Sequence, residues 1–295
     1  PLVLHTFRTG DSSALSQWAA GLALPSGKTA FFNFLASHDG IGLNPARGIL
    51  TAEEIDALAA QTLAHGGRIS YKHNPDGSQS PYEMNINYFD ALSNPAGGEP
   101  LSLQVRRFMA SQFVMLSLAG VPGIYFHSLF GSRGWPEGIR LTGRNRTINR
   151  QKLQRAALEA ELQDPASLRA QVFTAYAQLL RARSAQPAFS PHAPQLVLEA
   201  PRPVFALLRT APDHTGQVLC LVNAAPSPQP ARINWAAAGL PAPACAEDLL
   251  TGQTEDLDAS RPLILGPFQY RWLKITSAAP AARPNPGGHG RGSLR

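Results

Sequence analysis

The sequence has 295 residues, of which 44% are hydrophobic and 16% are charged, and this is enough apolar material for a sizeable core and two domains. No window approaches the roughly 18 consecutive apolar residues of a membrane-spanning helix, and the first residues lack the pattern of a secretory signal, so we expect a cytoplasmic protein with no membrane partner. Two cysteines, Cys220 and Cys245, are too few for a disulfide framework, and we expect both to be reduced.

The net charge of +6 is concentrated in two places. One is a Gly-rich basic stretch that holds Arg133, Arg140, Arg144, Arg146, Arg150 and Lys152. The other is the tail, 277–295, whose Pro, Gly and Ala composition predicts disorder. A Gly-Gly-His-Gly-Arg-Gly segment in this tail could touch RNA, but we favour a solvated tail and expect no nucleic-acid partner.

The first elements predicted are helices that alternate with an apolar strand. Asp11 can cap a short helix. Residues 29–36 predict a strand buried on both faces, as in a parallel sheet, because its Phe and Leu side chains do not alternate with polar ones. Thr51 and Glu54 then form a capping box for an amphipathic helix that stops at Gly66.

Residues 66–99 hold no helical period, and we predict a long insertion with two short strands near 68–71 and 82–87. The elements predicted after it are a helix from Pro100 to Gly120, a short buried strand over 123–126, and two helices over about 151–163 and 166–186.

From about Pro201 the hydrophobic period changes from about 3.6 to about 2. The strands predicted there are 204–209, 217–223, 231–235 and 268–275. Strands that alternate with helices, followed by strands alone, predict part of an α/β barrel and then a small antiparallel domain. We therefore divide the chain into a barrel part, 1–195, which contains the insertion 66–99, a β domain, 196–276, and the tail, 277–295.

The strand over 29–36 runs directly into Ser37-His38-Asp39-Gly40. In a β/α barrel the chemistry sits at the carboxyl ends of the strands, and this strand would deliver a carboxylate and an imidazole there. The alternative is that Asp39 only caps the turn and that His38 satisfies a backbone group.

Several motifs together resemble the α-amylase superfamily. Phe34-Leu35-Ala36-Ser37-His38-Asp39-Gly40 and Ala119-Gly120-Val121-Pro122-Gly123-Ile124-Tyr125-Phe126 resemble its barrel strands seven and eight. His38-Asp39-Gly40-Ile41-Gly42 and Arg146-x-Ile148-Asn149-Arg150 resemble the versions in sucrose phosphorylases and their relatives. Two motifs together are more similar to the glucosylglycerate phosphorylase branch. They are Tyr82-Glu83-Met84-Asn85, where sucrose phosphorylases have Tyr-Gln-Val-Asn, and Tyr125-Phe126-His127-Ser128-Leu129-Phe130-Gly131-Ser132-Arg133.

The resemblance implies an α/β fold, a partial (β/α)8 TIM barrel with about strands seven and eight, followed by the antiparallel β domain. It implies that Asp39 is the acid that stabilises the transition state and that His38 holds the same glucosyl unit. Arg146 matches the arginine that closes the glucose pocket, although Asn145 precedes it where sucrose phosphorylases have Gly. The alternative for Arg146 is a structural clamp on a nearby carboxylate.

The acceptor side of the implied site contains Tyr82, Glu83 and Asn85 from the insertion and Arg133 and Arg144 from the basic stretch. Glycerate and phosphate are anions, and arginines suit both through charge-assisted, bidentate contacts. The alternative for these arginines is that they are solvated.

The implied reaction is a double displacement with retention, in which an α-glucoside such as glucosylglycerate gives α-glucose 1-phosphate. Phosphate is a co-substrate, and we expect no cofactor and no metal. A sucrose phosphorylase, or a related α-glucosidase or transglucosidase, is the alternative enzyme, and a noncatalytic carbohydrate-binding fragment is the alternative of another class. Residues 1–5 resemble the segment after strand six, so the nucleophile and the general acid are expected upstream, and we expect the isolated chain to be inactive.

Overall fold

The computed structural model of the protein describes residues 1–243, 245–257 and 262–276. The tail predicted to be disordered, 277–295, lies outside the described residues. The helices, in chain order, are α1 (Leu2–Thr9), α2 (Ser13–Ala20), α3 (Ala52–Ala64), α4 (Tyr88–Leu92), α5 (Leu101–Ser117), α6 (Phe126–Leu129), α7 (Pro136–Thr142), α8 (Arg155–Gln163) and α9 (Leu168–Ser184). Short 3-10 turns occur at Asn44–Ala46, Asn145–Asn149 and Pro187–Phe189.

The strands form four sheets within the described part of the chain. They are β1 (Phe32–Asn33), β2 (Ile41–Gly42), β3 (Arg68–His73), β4 (Gln79–Asn85), β5 (Val121–Pro122), β6 (Gln195–Val197), β7 (Val204–Thr210), β8 (Gln217–Asn223), β9 (Gln229–Ala231), β10 (Cys245–Asp248), β11 (Thr254–Asp256), β12 (Leu263–Leu265) and β13 (Tyr270–Thr276). No helix among these described residues is both long and apolar enough to cross a membrane.

Strands β1 and β5 pair in parallel, with Phe32 opposite Val121 and Asn33 opposite Pro122. The long crossover that parallel pairing requires is supplied by the segment that contains α3 and α5. This is the arrangement expected of two neighbouring barrel strands. The strand predicted over 123–126 is displaced to β5, and Phe126 begins a helix instead.

The prediction that residues 29–36 form a strand buried on both faces is wrong for the described structure. Only two of these residues are in a strand, and the side chains of Phe32 and Phe34 are 67% and 55% exposed. The period of the sequence indicates which residues need burial, but burial also needs a covering element, and none of the described elements lies over this face.

Helix α3 begins at the predicted capping box, in which Thr51 Oγ1 accepts from Glu54 N at 3.2 Å and Thr51 N donates to Glu54 Oε2 at 2.8 Å. Helix α2 has Ser12 as its N-cap residue, with no side-chain capping hydrogen bond, and the predicted cap Asp11 instead accepts from Ser13 N at 2.8 Å. The capping box of α3 is a local interaction, and a sequence pattern predicts it well.

The insertion forms the hairpin β3–β4, and β2 pairs with the other edge of β4. Its two strands are longer than predicted. The region also contains the helix α4, which was not predicted because five residues are too few to show a helical period. Asn87 caps this helix, and its Oδ1 accepts from Phe89 N at 2.9 Å.

The last part of the chain is a six-stranded antiparallel sheet in the order β11-β10-β13-β8-β7-β6. One face packs on α5, where Trp272 Nε1 donates to Ser117 Oγ and Arg209 Nη1 donates to Ser117 O, both at 2.8 Å. Strands β9 and β12 pair with each other, and Ala231 and Leu265 on them belong to a second apolar cluster. The strand predicted over 231–235 is displaced to β9, and the division into domains stays a prediction.

Candidate active site

Arg146 lies between two carboxylates that come from distant parts of the chain. Its Nε and Nη2 are 3.1 and 2.9 Å from Glu83 Oε2 and Oε1, and its Nη1 is 3.3 Å from Asp39 Oδ1. The paired bonds to Glu83 match the planar fork of a guanidinium to a carboxylate, and they raise the pKa of Arg146. One arginine therefore ties the hairpin β3–β4 to the loop that follows β1.

A second arginine, which follows the 3-10 turn Asn145–Asn149, also holds the carboxylate of Asp39. Arg150 Nη2 donates to Asp39 Oδ1 at 2.7 Å, and Arg150 Nε donates to the carbonyl of His38 at 2.9 Å. Asn149 Nδ2 donates to the carbonyl of Asp39 at 3.0 Å. Asp39 Oδ2 receives no hydrogen bond from the described residues, so one carboxylate oxygen is available to a hydroxyl group.

The structure does not support the alternative roles of Asp39 and His38. The Asp39 side chain does not cap the turn, and the His38 ring does not bind a backbone group of the described residues. The Asp39 carboxylate binds two guanidinium groups, and its own N–H donates to Ser37 Oγ at 3.1 Å. The imidazole of His38 is 68% exposed, and its Nε2 is 3.7 Å from Asp39 Oδ1, which is too far for a hydrogen bond. The His38 ring is therefore open to a ligand.

Gly40 allows β4 to pass directly over the loop after β1. A Cβ atom at this position would lie 2.5 Å from Glu83 Cγ and 2.8 Å from the carbonyl oxygen of Met84. No side chain fits at such distances. The glycine that follows His38-Asp39 thus lets Glu83 approach the Asp39 loop closely enough for Arg146 to bridge the two carboxylates.

Five of the predicted site residues line one cleft of about 330 Å³. They are Tyr82, Glu83, Asn85, Arg144 and Arg146. Asp39 is linked to this cleft through its contact with Arg146. The exposed guanidinium of Arg144 has no hydrogen bond or ion pair with any described residue, so it is a cation available to an anionic ligand.

Asn85 is fully buried at the base of this cleft. Its Nδ2 donates to Ser70 Oγ at 2.9 Å, and its Oδ1 has no partner among the described residues. The carbonyl of Tyr82 accepts from Leu43 N at 2.8 Å, which fixes the backbone while the phenol ring lines the cleft.

Arg133 is a predicted acceptor-side residue that does not line this cleft. Its Nη1 donates to Asp90 Oδ1 at 2.8 Å, its Nη2 donates to Gln104 Oε1 at 2.6 Å, and its guanidinium lies over the ring of Phe89. Burial raises the pKa of Asp90, against the effect of bonds from Gly134 and Arg133. Arg133 neutralises a buried carboxylate here, and its role in substrate binding stays a prediction.

Asn149, Arg150 and Tyr125 were not among the residues predicted to form the site. Tyr125 OH donates to the carbonyl of Asn149 at 2.5 Å, and burial raises the pKa of the Tyr125 phenol. The Arg-x-Ile-Asn-Arg motif contains two of these residues, but the sequence alone does not tell which polar groups face Asp39. Within the described ranges, no group of three or more His, Cys, Asp and Glu residues could hold a metal ion.

No family model matches the chain. A glucosylglycerate phosphorylase from Allomeiothermus silvanus is 52% identical over 229 residues, which are 78% of this chain and 40% of that protein. A sucrose phosphorylase from Agrobacterium vitis is 26% identical over 206 residues, which are 64% of this chain and 37% of that protein.

Two solved structures share the fold at low sequence identity. The sucrose 6F-phosphate phosphorylase from Thermoanaerobacter thermosaccharolyticum matches with a TM-score of 0.62 and 18% identity. The aligned part is 76% of this chain and 42% of the phosphorylase chain. The α-amylase from Geobacillus thermoleovorans matches with a TM-score of 0.56 and 10% identity. The aligned part is 94% of this chain and 47% of the amylase chain. The fold neighbours are therefore TIM-barrel proteins of the α-amylase type.

The chain spans about 40% of the length of the curated relatives that it matches first. The match falls in a C-terminal portion of those relatives. The glucosylglycerate phosphorylases are 43–54% identical to this chain, and the sucrose phosphorylases are more distant. The chain is a homologue of the C-terminal portion of glucosylglycerate phosphorylases.

Proposed function

We propose that this chain supplies the transition-state-stabilising acid and the acceptor-binding groups of a retaining glycoside phosphorylase. The reaction forms α-glucose 1-phosphate from an α-glucoside such as glucosylglycerate. The observation that carries the proposal is the bridge that Arg146 makes between Asp39 and Glu83, beside a cleft in which the Arg144 guanidinium has no partner among the described residues. The names of the relatives at 43–54% identity support it.

The glucosyl unit would lie against Asp39 and His38. In a retaining reaction one carboxylate attacks the anomeric carbon and a second carboxylic acid protonates the leaving group, with the two groups about 5 Å apart. Phosphate then takes the glucosyl group from the enzyme with the α configuration kept. Asp39, whose Oδ1 contacts two arginines, would do neither step and would instead accept from ring hydroxyls and stabilise positive charge on the sugar.

The acceptor would lie in the cleft beside Arg144 and Tyr82. A carboxylate such as Glu83 in an acceptor site would repel glycerate and phosphate if it were unpaired. The bidentate contact with Arg146 neutralises the charge of Glu83. Arg144 adds a guanidinium that pairs with no described residue. The balance of charge in the cleft therefore favours anions, which is why we assign a glycerate acceptor in preference to the uncharged fructose of sucrose.

The nucleophile and the general acid are not assigned to any residue of this chain. We therefore infer that the chain on its own has no phosphorylase activity. The proposal includes the division into a barrel part up to residue 195, with the 66–99 insertion as its acceptor loop, and a β domain over 196–276.

The test uses a fusion protein, in which this chain follows the N-terminal portion of the Allomeiothermus silvanus relative. We call this protein the fusion. The fusion and the isolated chain are each given phosphate and a panel of glucosides, and glucose 1-phosphate is measured. We expect product from glucosylglycerate with the fusion and none with the isolated chain. Product from sucrose alone would overturn the glycerate assignment, and glucose release that does not depend on phosphate would overturn phosphorolysis.

A further inference from the structure

Helix α4 carries a buried carboxylate that has no part in the proposed reaction. Asp90 is 5% exposed. Its Oδ2 accepts from Gly134 N at 2.7 Å, and its Oδ1 accepts from Arg133 Nη1 at 2.8 Å. Both donors lie at the start of the basic stretch. Hydrogen bonds to an ionised carboxylate are stronger than those between neutral groups, so Asp90 holds this end of the basic stretch in place.

Helix α4 is itself held by side chains from outside the helix. The carbonyl groups of its last three residues each accept one hydrogen bond from such a side chain. The donors are His65 Nδ1 at 2.7 Å, Gln61 Nε2 at 3.0 Å and Arg107 Nη1 at 2.8 Å. The last carbonyl groups of a helix have no partner within the helix, and five residues are too few for a helix that is stable alone. These three bonds therefore fix the element that presents Asp90.

Backbone contacts connect Gly134 to the 3-10 turn Asn145–Asn149. Trp135 N donates to Ile148 O at 2.9 Å. A Cβ atom at Gly134 would lie 3.1 Å from Ile148 Cγ1 and 3.2 Å from Asp90 Oδ2, so Gly134 is packed between the carboxylate and the turn. Ile148 is 4% exposed. The position of the turn therefore depends on the position of Gly134.

This turn and the residues beside it carry cations of the candidate active site. Arg146 lies within the turn, Arg144 precedes it and Arg150 follows it. Asn149 Nδ2 and Arg150 Nη2 also bind the carbonyl and the carboxylate of Asp39. A displaced turn would move these groups relative to Asp39 and to the cleft.

We propose that Asp90 is a positioning residue of the candidate active site, because its carboxylate sets the place of the turn that carries Arg146. Asp90 does not line the cleft that contains Arg144 and Arg146, so it would act through other residues and not by contact with the substrate. The inference deepens the proposed function and rests on it for the roles of Arg144 and Arg146. A positioning role predicts that loss of the carboxylate loosens the turn while the antiparallel sheet stays folded.

The first test measures backbone amide exchange in this chain with Asp90→Asn. Asparagine has one acceptor oxygen and an NH2 group, so the variant loses one of its two bonds and turns a donor towards a donor. The amides of Trp135, Thr147 and Arg150 donate within the basic stretch. We expect their exchange to be faster by about tenfold or more, with the exchange of β13 unchanged.

Asp248→Asn is the matched control, because Asp248 is a buried carboxylate with the same kinds of partner. It is 3% exposed, its Oδ2 accepts from Arg271 Nε at 2.6 Å and its Oδ1 accepts from Leu250 N at 2.9 Å. The control should speed exchange in β10 and β13 and not at the turn. Unchanged exchange at the turn in Asp90→Asn, or acceleration as large in β13 as at the turn, would overturn the proposal.

The second test measures steady-state phosphorolysis by the fusion. Asp90→Asn should raise the KM for glucosylglycerate by about tenfold, because displaced cations bind the acceptor less well. Asp248→Asn should leave this KM unchanged. A KM in Asp90→Asn equal to that of the unchanged fusion, or an equal rise in both variants, would overturn the proposal. Amide exchange does not involve catalysis, so a fusion without phosphorolysis contradicts the proposed function alone, and the exchange test still decides the role of Asp90.

Discussion

Arg146 binds Glu83 through two parallel contacts, from Nε at 3.1 Å and from Nη2 at 2.9 Å, while its Nη1 reaches Asp39. The Glu83 side chain is 7% exposed and the Arg146 side chain is 44% exposed. The acidic residue is thus fixed by the fold, and the arginine is the member of the pair that a ligand can reach. We therefore expect substrate binding to depend on the charge of Glu83 through this one guanidinium.

Glu83→Gln in the fusion should lower kcat/KM for glucosylglycerate by about tenfold. The amide keeps the shape of the side chain but has one acceptor oxygen and no charge, so Arg146 loses its fork and shifts towards Asp39. Steady-state phosphorolysis measures the change. The matched control is Glu255→Gln, which changes another arginine-bound carboxylate in the antiparallel sheet. An equal loss in both variants would contradict a role of Glu83 in the site.

Arg144→Gln should raise the KM for glucosylglycerate by about tenfold without changing the unfolding temperature. The Arg144 guanidinium has no partner among the described residues, so the fold does not depend on it, whereas an anionic acceptor would lose a charge-assisted bond. Arg140→Gln serves as the control, because Arg140 is exposed and pairs with Glu137. An unchanged KM in Arg144→Gln would place the acceptor elsewhere.

Arg133→Gln should lower the stability of the chain. Removal of the arginine leaves the buried carboxylate of Asp90 without its cation, and we expect a loss of about 2 kcal/mol in the free energy of unfolding. Urea unfolding measures it. The same change at the exposed Arg140 should cost less than about 0.5 kcal/mol. If Arg133→Gln unfolds like the unchanged chain but binds substrate more weakly, Arg133 belongs to the site.

The stability of the chain should fall as the pH drops below about 6.5. Burial lowers the pKa of His127 and of His5 in the folded chain. The unfolded chain therefore takes up protons at a higher pH than the folded chain does, so this stability is present above the ordinary pKa and is lost on acidification. Each histidine contributes at most about 1.4 kcal/mol per pH unit.

Urea unfolding at pH 7.5 and at pH 5.5 tests this prediction. His127→Gln should reduce the difference between the two pH values, because Gln takes up no proton. His192→Gln changes an exposed histidine and should leave the difference as it is. A stability that is constant across this range would contradict a neutral, buried His127.

The parts of the fold that the sequence predicted well are those set by neighbouring residues. The capping box of Thr51 and Glu54 is such a local interaction, and it occurs in the structure. The burial of residues 29–36 was predicted wrongly, because burial depends on which elements pack against the strand and not on its own sequence. The helix α4 was missed since five residues are too few to show a period.

The candidate site shows the same limit. The sequence placed Arg133 and Arg144 in one basic stretch with nothing to distinguish them. Their different surroundings are set by Asp90, which lies 43 positions before Arg133, and by the hairpin that carries Tyr82 and Glu83. Motif similarity identified Asp39 and Arg146, but the contact of Arg150 with both His38 and Asp39 required the folded chain.

The most direct test of the central claim is the rate of glucose 1-phosphate formation from glucosylglycerate and phosphate by the fusion, with and without Asp39→Asn. The claim predicts phosphorolysis by the unchanged fusion and a loss of about a thousandfold in kcat for Asp39→Asn, because the neutral amide no longer stabilises the charge on the sugar. Activity of the Asp39→Asn fusion equal to that of the unchanged fusion would contradict the claim.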